Sequence, residues 1–322
     1  MRKISYVTAL HEALIELMRA DERVISIGEW EAPTAGPAVW DEFGPERLFP
    51  TLVSEMAYAG VALGAALEGM RPIITFSTAS FMFNAWEQVI NEAPHFRYMS
   101  GGQVGVPIVI HCTGGARGAG AAQHSHSPQS MLWNTPGLKL ALPSTAADLK
   151  ALLKTAVADP NPVVIIDHEK LYPMEEEIED EVPALALGRG IKRREGRDVT
   201  IVATSLMARQ SLDAVAQLAA EGIEAEVIDP RTLVPFDEAL IVSSLAKTGR
   251  LVVADETHLS CGVTAEIAAR LGRSAFRHLK APIERVATAN MPVPFSPPLE
   301  SAVVPGPAQI ADAARRAVRF KL

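Results

Sequence analysis

A carboxylate at the start of an apolar stretch is one of two features of this sequence whose residue types suit chemistry. Glu55 opens residues 55–67, which are almost entirely small and apolar. The stretch predicts a helix that can pack closely on every side, and a carboxyl buried at its start can share a proton near neutral pH. The structural alternative is that Glu55 only offsets the helix dipole, with Ser54 as the helix cap.

The second feature is a glycine-rich segment, residues 114–127, that ends in two histidines spaced by one residue, His124 and His126. The glycines allow close approach to a ligand, but their spacing matches neither GxGxxG nor GxxxxGK[ST], and an ordinary flexible loop is an alternative. Imidazoles two residues apart on an extended segment lie on one face and suit a metal ion. A metal-dependent hydrolase using these histidines is therefore a rival hypothesis, although its further candidate ligands have no metal-site spacing, namely His168, Asp255, Glu256 and His258.

Aromatic residues follow at helix-like spacing in residues 81–86 of the sequence, at Phe81, Phe83 and Trp86. Aromatic side chains at such spacing usually belong to a core. Phe81 stands at the start of the predicted helix, where its ring can instead face the ring of a ligand.

Composition excludes several classes of protein. A chain of 322 residues with 48% hydrophobic residues is long and apolar enough for buried cores, so disorder is not expected. The net charge of −8 argues against a nucleic-acid partner. Cys112 and Cys261 form no CxxC pair, which argues against a disulfide framework and a zinc ribbon. No stretch resembles a signal peptide or a membrane span, so a cytoplasmic protein without membrane contact is expected.

Short β-rich runs alternate with stretches of helical spacing, which is typical of parallel strands joined by crossover helices. We predict two three-layer α/β domains with mainly parallel sheets, at residues 1–174 and 189–322, joined by an acidic, proline-flanked linker at residues 175–188 that can bury little. Predicted strands are 23–27, 72–76, 106–111, 138–142, 162–167, 199–204, 225–229, 250–255 and 283–287. Predicted helices are 7–19, 55–67, 83–97, 146–157, 207–220, 237–246, 264–270 and 307–319.

Taken in order, these stretches resemble a known family from nearly one end of the chain to the other. It is the family of β subunits of the first component of 2-oxo acid dehydrogenase complexes, which includes pyruvate, branched-chain and acetoin dehydrogenases. Each motif is weak alone, but their order along the chain is specific. The matching segments are Ser54-Glu55, Arg71-Pro72 and residues 97–103, 123–127, 136–139, 142–145, 159–162, 194–200, 226–232 and 247–250.

The resemblance implies a transketolase-like fold, with a pyrimidine-binding domain followed by the transketolase C-terminal domain. It also implies decarboxylation of a 2-oxo acid, or cleavage of an acetoin-like ketone, on thiamine diphosphate, with acyl transfer to a lipoyl-bearing acyltransferase. In such enzymes an α subunit holds Mg²⁺ and the diphosphate through a Gly-Asp-Gly motif, which this sequence lacks. We therefore expect a heterotetramer of two α and two β subunits with a β–β contact. A third hypothesis is a non-catalytic structural subunit.

The resemblance also implies roles for particular residues. Glu55, with Ser54 beside it, matches the glutamate that hydrogen-bonds N1′ of the aminopyrimidine, and Phe81 would pack on that ring. His124 matches the histidine that assists acyl transfer, and Glu29 matches a glutamate near the cofactor. Some relatives bind K⁺ mostly through backbone carbonyls, at positions that correspond to Ile108, Ala156, Val157, Asp159 and Asn161.

The sequence departs from the family between Gly28 and Glu55. The connection is shorter, its first residues differ from the family's Gly-Glu-Asp-Val-Gly, and Leu52 replaces a proline. The resemblance therefore leaves the identity of the substrate open.

Overall fold

The structure is a computed structural model that describes residues 1–28 and 36–321. Short runs rich in β-branched residues form its strands, and the longer stretches of helical spacing between them form its helices. The chain divides into two units, Met1–Gly114 with Met131–Leu187 and Gly115–Ser130 with Gly188–Leu322. The two-domain α/β architecture predicted from the sequence is confirmed. The segment 115–130, which the predicted boundaries put in the first domain, belongs to the second unit.

The first unit is built on one parallel sheet. Its strands are Arg2–Ser5 (β1), Val24–Gly28 (β2), Leu48–Pro50 (β3), Arg71–Phe76 (β4), Val109–Gly114 (β5), Lys139–Ala141 (β6), Val163–His168 (β7) and Glu175–Ile178 (β8). Its helices are Tyr6–Ala20 (α1), Gly36–Arg47 (α2), Glu55–Leu67 (α3), Ala93–Met99 (α4), Gln129–Trp133 (α5, spanning the junction at residue 130) and Ala146–Ala158 (α6). Six of the strands form the sheet, in the order β6-β7-β5-β4-β2-β3.

The central strands β4, β5 and β7 are buried almost throughout because both faces of a parallel sheet are covered. Helix α3 packs on β4 and β2, and α1 packs on α6. At the end of β2, a side chain at Gly28 would bring its Cβ to 2.3 Å from the carbonyl oxygen of Thr75, so only glycine fits there. The sheet thus requires glycine at the point where the chain leaves β2.

A buried polar network anchors the carboxyl ends of β5 and β7. The Tyr6 hydroxyl donates to Asp167 at 2.7 Å, and a ring nitrogen of His111 lies 2.8 Å from the other oxygen of the same carboxylate. Burial, and then the charge of Asp167, raise the pKa of Tyr6 well above its usual value. Tyr6 therefore stays protonated and acts as a permanent donor, which holds the two strand ends together.

The strands of the second unit are Ile191–Arg194 (β9), Val199–Ala203 (β10), Ala225–Asp229 (β11), Thr232–Val234 (β12), Leu251–His258 (β13) and Glu284–Thr288 (β14). All of them except β12 form a five-stranded sheet with the order β14-β13-β10-β11-β9, in which β9 is antiparallel to β11 and the other pairs are parallel. Its helices are Ser205–Ala219 (α7), Glu238–Thr248 (α8), Val263–Ser274 (α9), Pro297–Val303 (α10) and Pro307–Arg319 (α11). Helices α7 and α11 pack together over β10 and β13.

Two expectations from the sequence are wrong in detail. The single helix predicted at 83–97 is a 3₁₀ turn (Phe81–Ala85), a π-helical turn (Glu87–Glu92) and α4. Pro94 has no N–H to give to the carbonyl four residues earlier, and the wider π turn before it accommodates that loss.

The acidic stretch 175–188 buries more than expected. Its first residues, β8, pair antiparallel with β1, and Ile178 and Val182 are 3% and 7% exposed in a core cluster with residues of α1 and α6. Its charges lie on the outer side, as in the ion pair of 2.7 Å between Lys3 and Glu175. The sequence predicted little burial here because carboxylates dominate the stretch, but the apolar residues Ile178 and Val182 among them are buried.

No described helix is both long enough and apolar enough to cross a membrane.

Candidate active site

Glu55 is the first residue of α3, and its side chain is only 6% exposed. Within residues 1–28 and 36–321, no hydrogen bond or ion pair to its carboxylate is seen. A buried carboxyl without a partner is costly, and proteins keep such groups mainly where a ligand completes them. The side chain of Ser54 makes no capping bond, so the alternative in which this hydroxyl caps the helix is not supported.

Helix α3 has two different faces. Tyr58 and Leu63 point into the unit, with the ring of Tyr58 5.4 Å from that of Phe76. The opposite face is apolar but exposed, with exposed fractions of 60% at Met56 and 64% at Val61. The sequence predicted a helix that can pack closely on every side. In the described part of the isolated chain, other elements cover only one side of it.

Glycines lie on the same exposed face. An added Cβ at Gly60 or Gly64 would meet no atom of the described residues within 4 Å. The two residues before Ser54, Leu52 and Val53, are also exposed, at 88% and 78%. We call the surface formed by Leu52, Val53, Met56, Gly60, Val61 and Gly64 the α3 face. An apolar surface of this kind marks an interaction site, and its glycines allow another backbone to come close.

Phe81 lies half-buried at the start of the 3₁₀ turn Phe81–Ala85, which packs against α3. Its N–H donates to the carbonyl of Thr78 at 3.0 Å. Phe83 and Trp86 are half-buried, and their rings meet edge to face at 5.5 Å. The structure therefore brings the element that carries Phe81 and the helix that carries Glu55 together in the first unit.

His124 ends the short 3₁₀ turn Ala122–His124 in the segment that belongs to the second unit, and it is half-buried. The N–H groups of Ala116 and Ala119 donate to carboxylate oxygens of Glu256 and Glu300, each at 3.0 Å. Sequence reasoning considered Glu256 only as a metal ligand and missed Glu300. No local signal reveals them, because these bonds join residues 140 and 181 positions apart.

The histidines do not build a metal site. Within the part of the chain that the structure describes, no group of three or more His, Cys, Asp or Glu side chains could hold a metal ion. Partial burial, and then the charge of His258, lower the pKa of His126 below its usual value. His168 belongs to the first unit, where its Nδ1 accepts the N–H of Lys170 at 3.1 Å. The candidate ligands are thus occupied by other contacts, and the metal-dependent hydrolase is not supported.

The residues matched to a K⁺ site lie around the end of α6 in the first unit. The carbonyl of Ile108 accepts the N–H of Val163 at 3.0 Å, and that of Ala156 accepts the N–H of Asp159 at 3.3 Å. The last carbonyls of a helix carry partial negative charge, and each keeps a second lone pair after one hydrogen bond. The backbone therefore fits a monovalent cation here. Two cationic side chains already contact the same residues, Arg71 at the carbonyl of Val157 and Lys139 at the carboxylate of Asp159.

Glu29, the remaining predicted cofactor residue, lies outside the described residues.

Comparison with known proteins identifies both units. Residues 2–175 match the transketolase pyrimidine-binding domain, and residues 188–310 match the transketolase C-terminal domain. The chain is 41% identical to the β subunit of an acetoin:2,6-dichlorophenolindophenol oxidoreductase from Cupriavidus necator, over 99% of this chain and 98% of that one. It is 40% identical to the β subunit of the pyruvate dehydrogenase E1 component from Rhizobium meliloti, over 97% and 69%.

A solved structure extends the likeness to the whole fold. It is described as a split-gene transketolase in an inactive β4 tetramer, and it superposes with a TM-score of 0.81 at 26% identity over 99% of both chains.

Proposed function

Because this chain belongs to the transketolase-like family of β subunits of pyruvate and acetoin dehydrogenases, we propose that it is the β subunit of a thiamine-diphosphate-dependent 2-oxo acid or acetoin dehydrogenase. The observation that carries this proposal is the carboxylate of Glu55, which is buried at the start of α3 and has no hydrogen-bond or ion-pair partner within residues 1–28 and 36–321. A group in that state fits a ligand nitrogen that shares its proton. The substrate is a small 2-oxo acid or an acetoin-like ketone, and the acyl group passes to a lipoyl carrier on an acyltransferase.

The chemistry divides between cofactor and protein. Bound thiamine diphosphate supplies the nucleophilic carbon and the electron sink, and the protein orients and tunes it. Glu55 would hold a proton at N1′ of the aminopyrimidine, and α3 fixes the place of that carboxyl at its first residue. Phe81, on the turn that packs against α3, would cover the face of the ring. Ser54 and Glu29 are the other proposed cofactor-binding residues.

The α3 face supports the need for a partner. Large apolar side chains that are 60–88% exposed are unfavourable in water, and they lie directly beside the residue that should touch the cofactor. No Gly-Asp-Gly motif for the diphosphate and Mg²⁺ occurs in the sequence. An α subunit that covers this face and brings the diphosphate and Mg²⁺ accounts for both facts. Two α and two β subunits with a β–β contact form the proposed enzyme, and a cytoplasmic location stays a prediction.

Co-expression with α subunits of the same family tests the proposal. The assembled enzyme should decarboxylate pyruvate or a branched-chain 2-oxo acid, or cleave acetoin, only when thiamine diphosphate and Mg²⁺ are added. The isolated chain should be inactive. Turnover by the isolated chain without thiamine diphosphate would refute the assignment.

His124 should act in acyl transfer. Its imidazole can exchange a proton with the reacting groups, and general acid–base groups of this kind contribute roughly 10²- to 10⁴-fold to a rate. His124→Ala should therefore slow reductive acylation of the lipoyl carrier by that factor in the assembled enzyme. His126→Ala is the matched control, since this exposed imidazole lies two residues away and should change the rate by a few-fold at most. Equal effects of the two substitutions would contradict a specific role for His124.

K⁺ should stabilise the first unit through the carbonyls at the end of α6. Binding to the folded state alone raises stability by mass action, and each kcal/mol raises Tm by about 2–4 °C in proteins of this size. Thermal unfolding in KCl should therefore occur at higher temperature than in NaCl of equal ionic strength. Identical Tm values in the two salts would show that Arg71 and Lys139 suffice at this site.

A further inference from the structure

The loop that carries His124 has a backbone that favours glycine, even where glycine is absent. Gly115 and Gly118 have φ of 81° and 87°, and Ala119 and Ala121 share this left-handed region with φ of 57° and 56°. An alanine avoids this region because its Cβ approaches the following carbonyl. Such a conformation persists only where surrounding contacts impose it. Surrounding contacts must therefore hold this loop.

Two buried carboxylates of the second unit accept hydrogen bonds from the loop that carries His124. Glu256, on β13, accepts the N–H of Ala116, and Glu300, on α10, accepts the N–H of Ala119, both at 3.0 Å. The exposed fractions of these glutamates are only 8% and 4%. A hydrogen bond from a backbone N–H to a carboxylate is stronger than one between neutral groups, and burial strengthens it further.

Both carboxylates stand on rigid backbone. The carbonyl of Glu256 accepts the hydroxyl of Thr288 at 2.7 Å, which ties the end of β13 to β14. The N–H of Glu300 donates to the carbonyl of Ser296 at 2.8 Å, at the start of α10. The loop itself is closed by the N–H of Gly115, which donates to the carbonyl of His126 at 3.0 Å. His124 therefore lies within a loop that is closed on itself and fixed at two points before it.

We propose that Glu256 and Glu300 are positioning residues that hold the left-handed backbone of residues 115–121 and so set the place of the His124 imidazole. The proposal rests on the role of His124 in acyl transfer given above. Neither glutamate touches the reacting groups in this mechanism. Their effect is on geometry, and a misplacement of about 1 Å in a catalytic group can lower a rate roughly 100-fold.

Substitution of Glu300 in the assembled enzyme tests the proposal. Glu300→Ala should lower kcat for reductive acylation roughly 10- to 100-fold with KM nearly unchanged. Glu300→Gln should restore most of the rate, because an amide oxygen can accept the same N–H. In a His124→Ala background, Glu300→Ala should have almost no further effect, since there is no imidazole left to position. Multiplied losses in the double variant would overturn the proposal.

Hydrogen–deuterium exchange separates the geometry from the chemistry. Peptides that cover residues 115–121 should exchange faster in Glu300→Ala and at the normal rate in His124→Ala. Unchanged exchange in Glu300→Ala would overturn the proposal and leave the role of His124 intact. Full activity of His124→Ala would overturn both the role of His124 in acyl transfer and the proposal that Glu256 and Glu300 position it. Asp237→Ala is the control for general destabilisation, because Asp237 accepts the N–H of Gly190 at 3.0 Å in the same unit, far from this loop in sequence. It should leave kcat and the exchange of residues 115–121 unchanged.

Discussion

Glu55→Gln should lower the thiamine-diphosphate-dependent activity of the assembled enzyme by roughly 10²- to 10⁴-fold while the fold is kept. Glutamine has nearly the same volume, so α3 should still pack as it does now, but an amide cannot carry the proton that the cofactor nitrogen needs. The buried carboxylate, at 6% exposure, has no hydrogen-bond or ion-pair partner among the described residues, so the substitution removes no such interaction with them. Stability should therefore be unchanged or slightly increased.

The measurement compares steady-state decarboxylation and Tm for the variant and the parent. Glu68→Gln is the matched control, because Glu68 is an exposed carboxylate that directly follows the same helix. Its neutralisation should leave activity within a few-fold. If Glu55→Gln kept full activity, the chain would have the non-catalytic structural role that the sequence also allowed.

Gly64→Leu should separate folding from assembly. Glycine inside a helix costs about 0.5–1 kcal/mol relative to better helix formers, and a Cβ at Gly64 meets no atom within 4 Å in the part of the chain that the structure describes. The variant should therefore fold at least as stably as the parent. On the α3 face the same side chain would occupy the space into which the α subunit must pack, and overpacking of about 1–3 kcal/mol weakens association by roughly 10- to 100-fold.

Co-purification with the α subunit and analytical ultracentrifugation measure this effect. Gly272→Leu is the control, since Gly272 also lies in a helix, α9, and an added Cβ there also meets nothing within 4 Å. It should leave assembly unchanged. Normal assembly of Gly64→Leu would show that the α3 face is not where the partner binds.

Local pattern was sufficient for most of the fold. Helix α3 begins and ends at the residues predicted, 55 and 67, because alanine and leucine, which favour a helix, recur through this stretch. The buried strands of both sheets were predicted from short runs of β-branched residues, which favour a strand. The elements that were missed are short or depend on distant partners, such as β1 and β8, whose pairing joins residues far apart in the chain.

By itself, the sequence determined the α/β class, the family and the place of Glu55 at a helix start, since these follow from composition, periodicity and the order of motifs. Only the tertiary structure decided what surrounds those residues. It showed that the Glu55 carboxylate is buried with no partner among the described residues, that the outer face of the same helix is exposed, and that Glu256 and Glu300 accept hydrogen bonds from the loop of His124. The physical reason is that spacing along a chain encodes local backbone preference, whereas burial and long-range hydrogen bonds depend on which distant elements come to lie beside a residue.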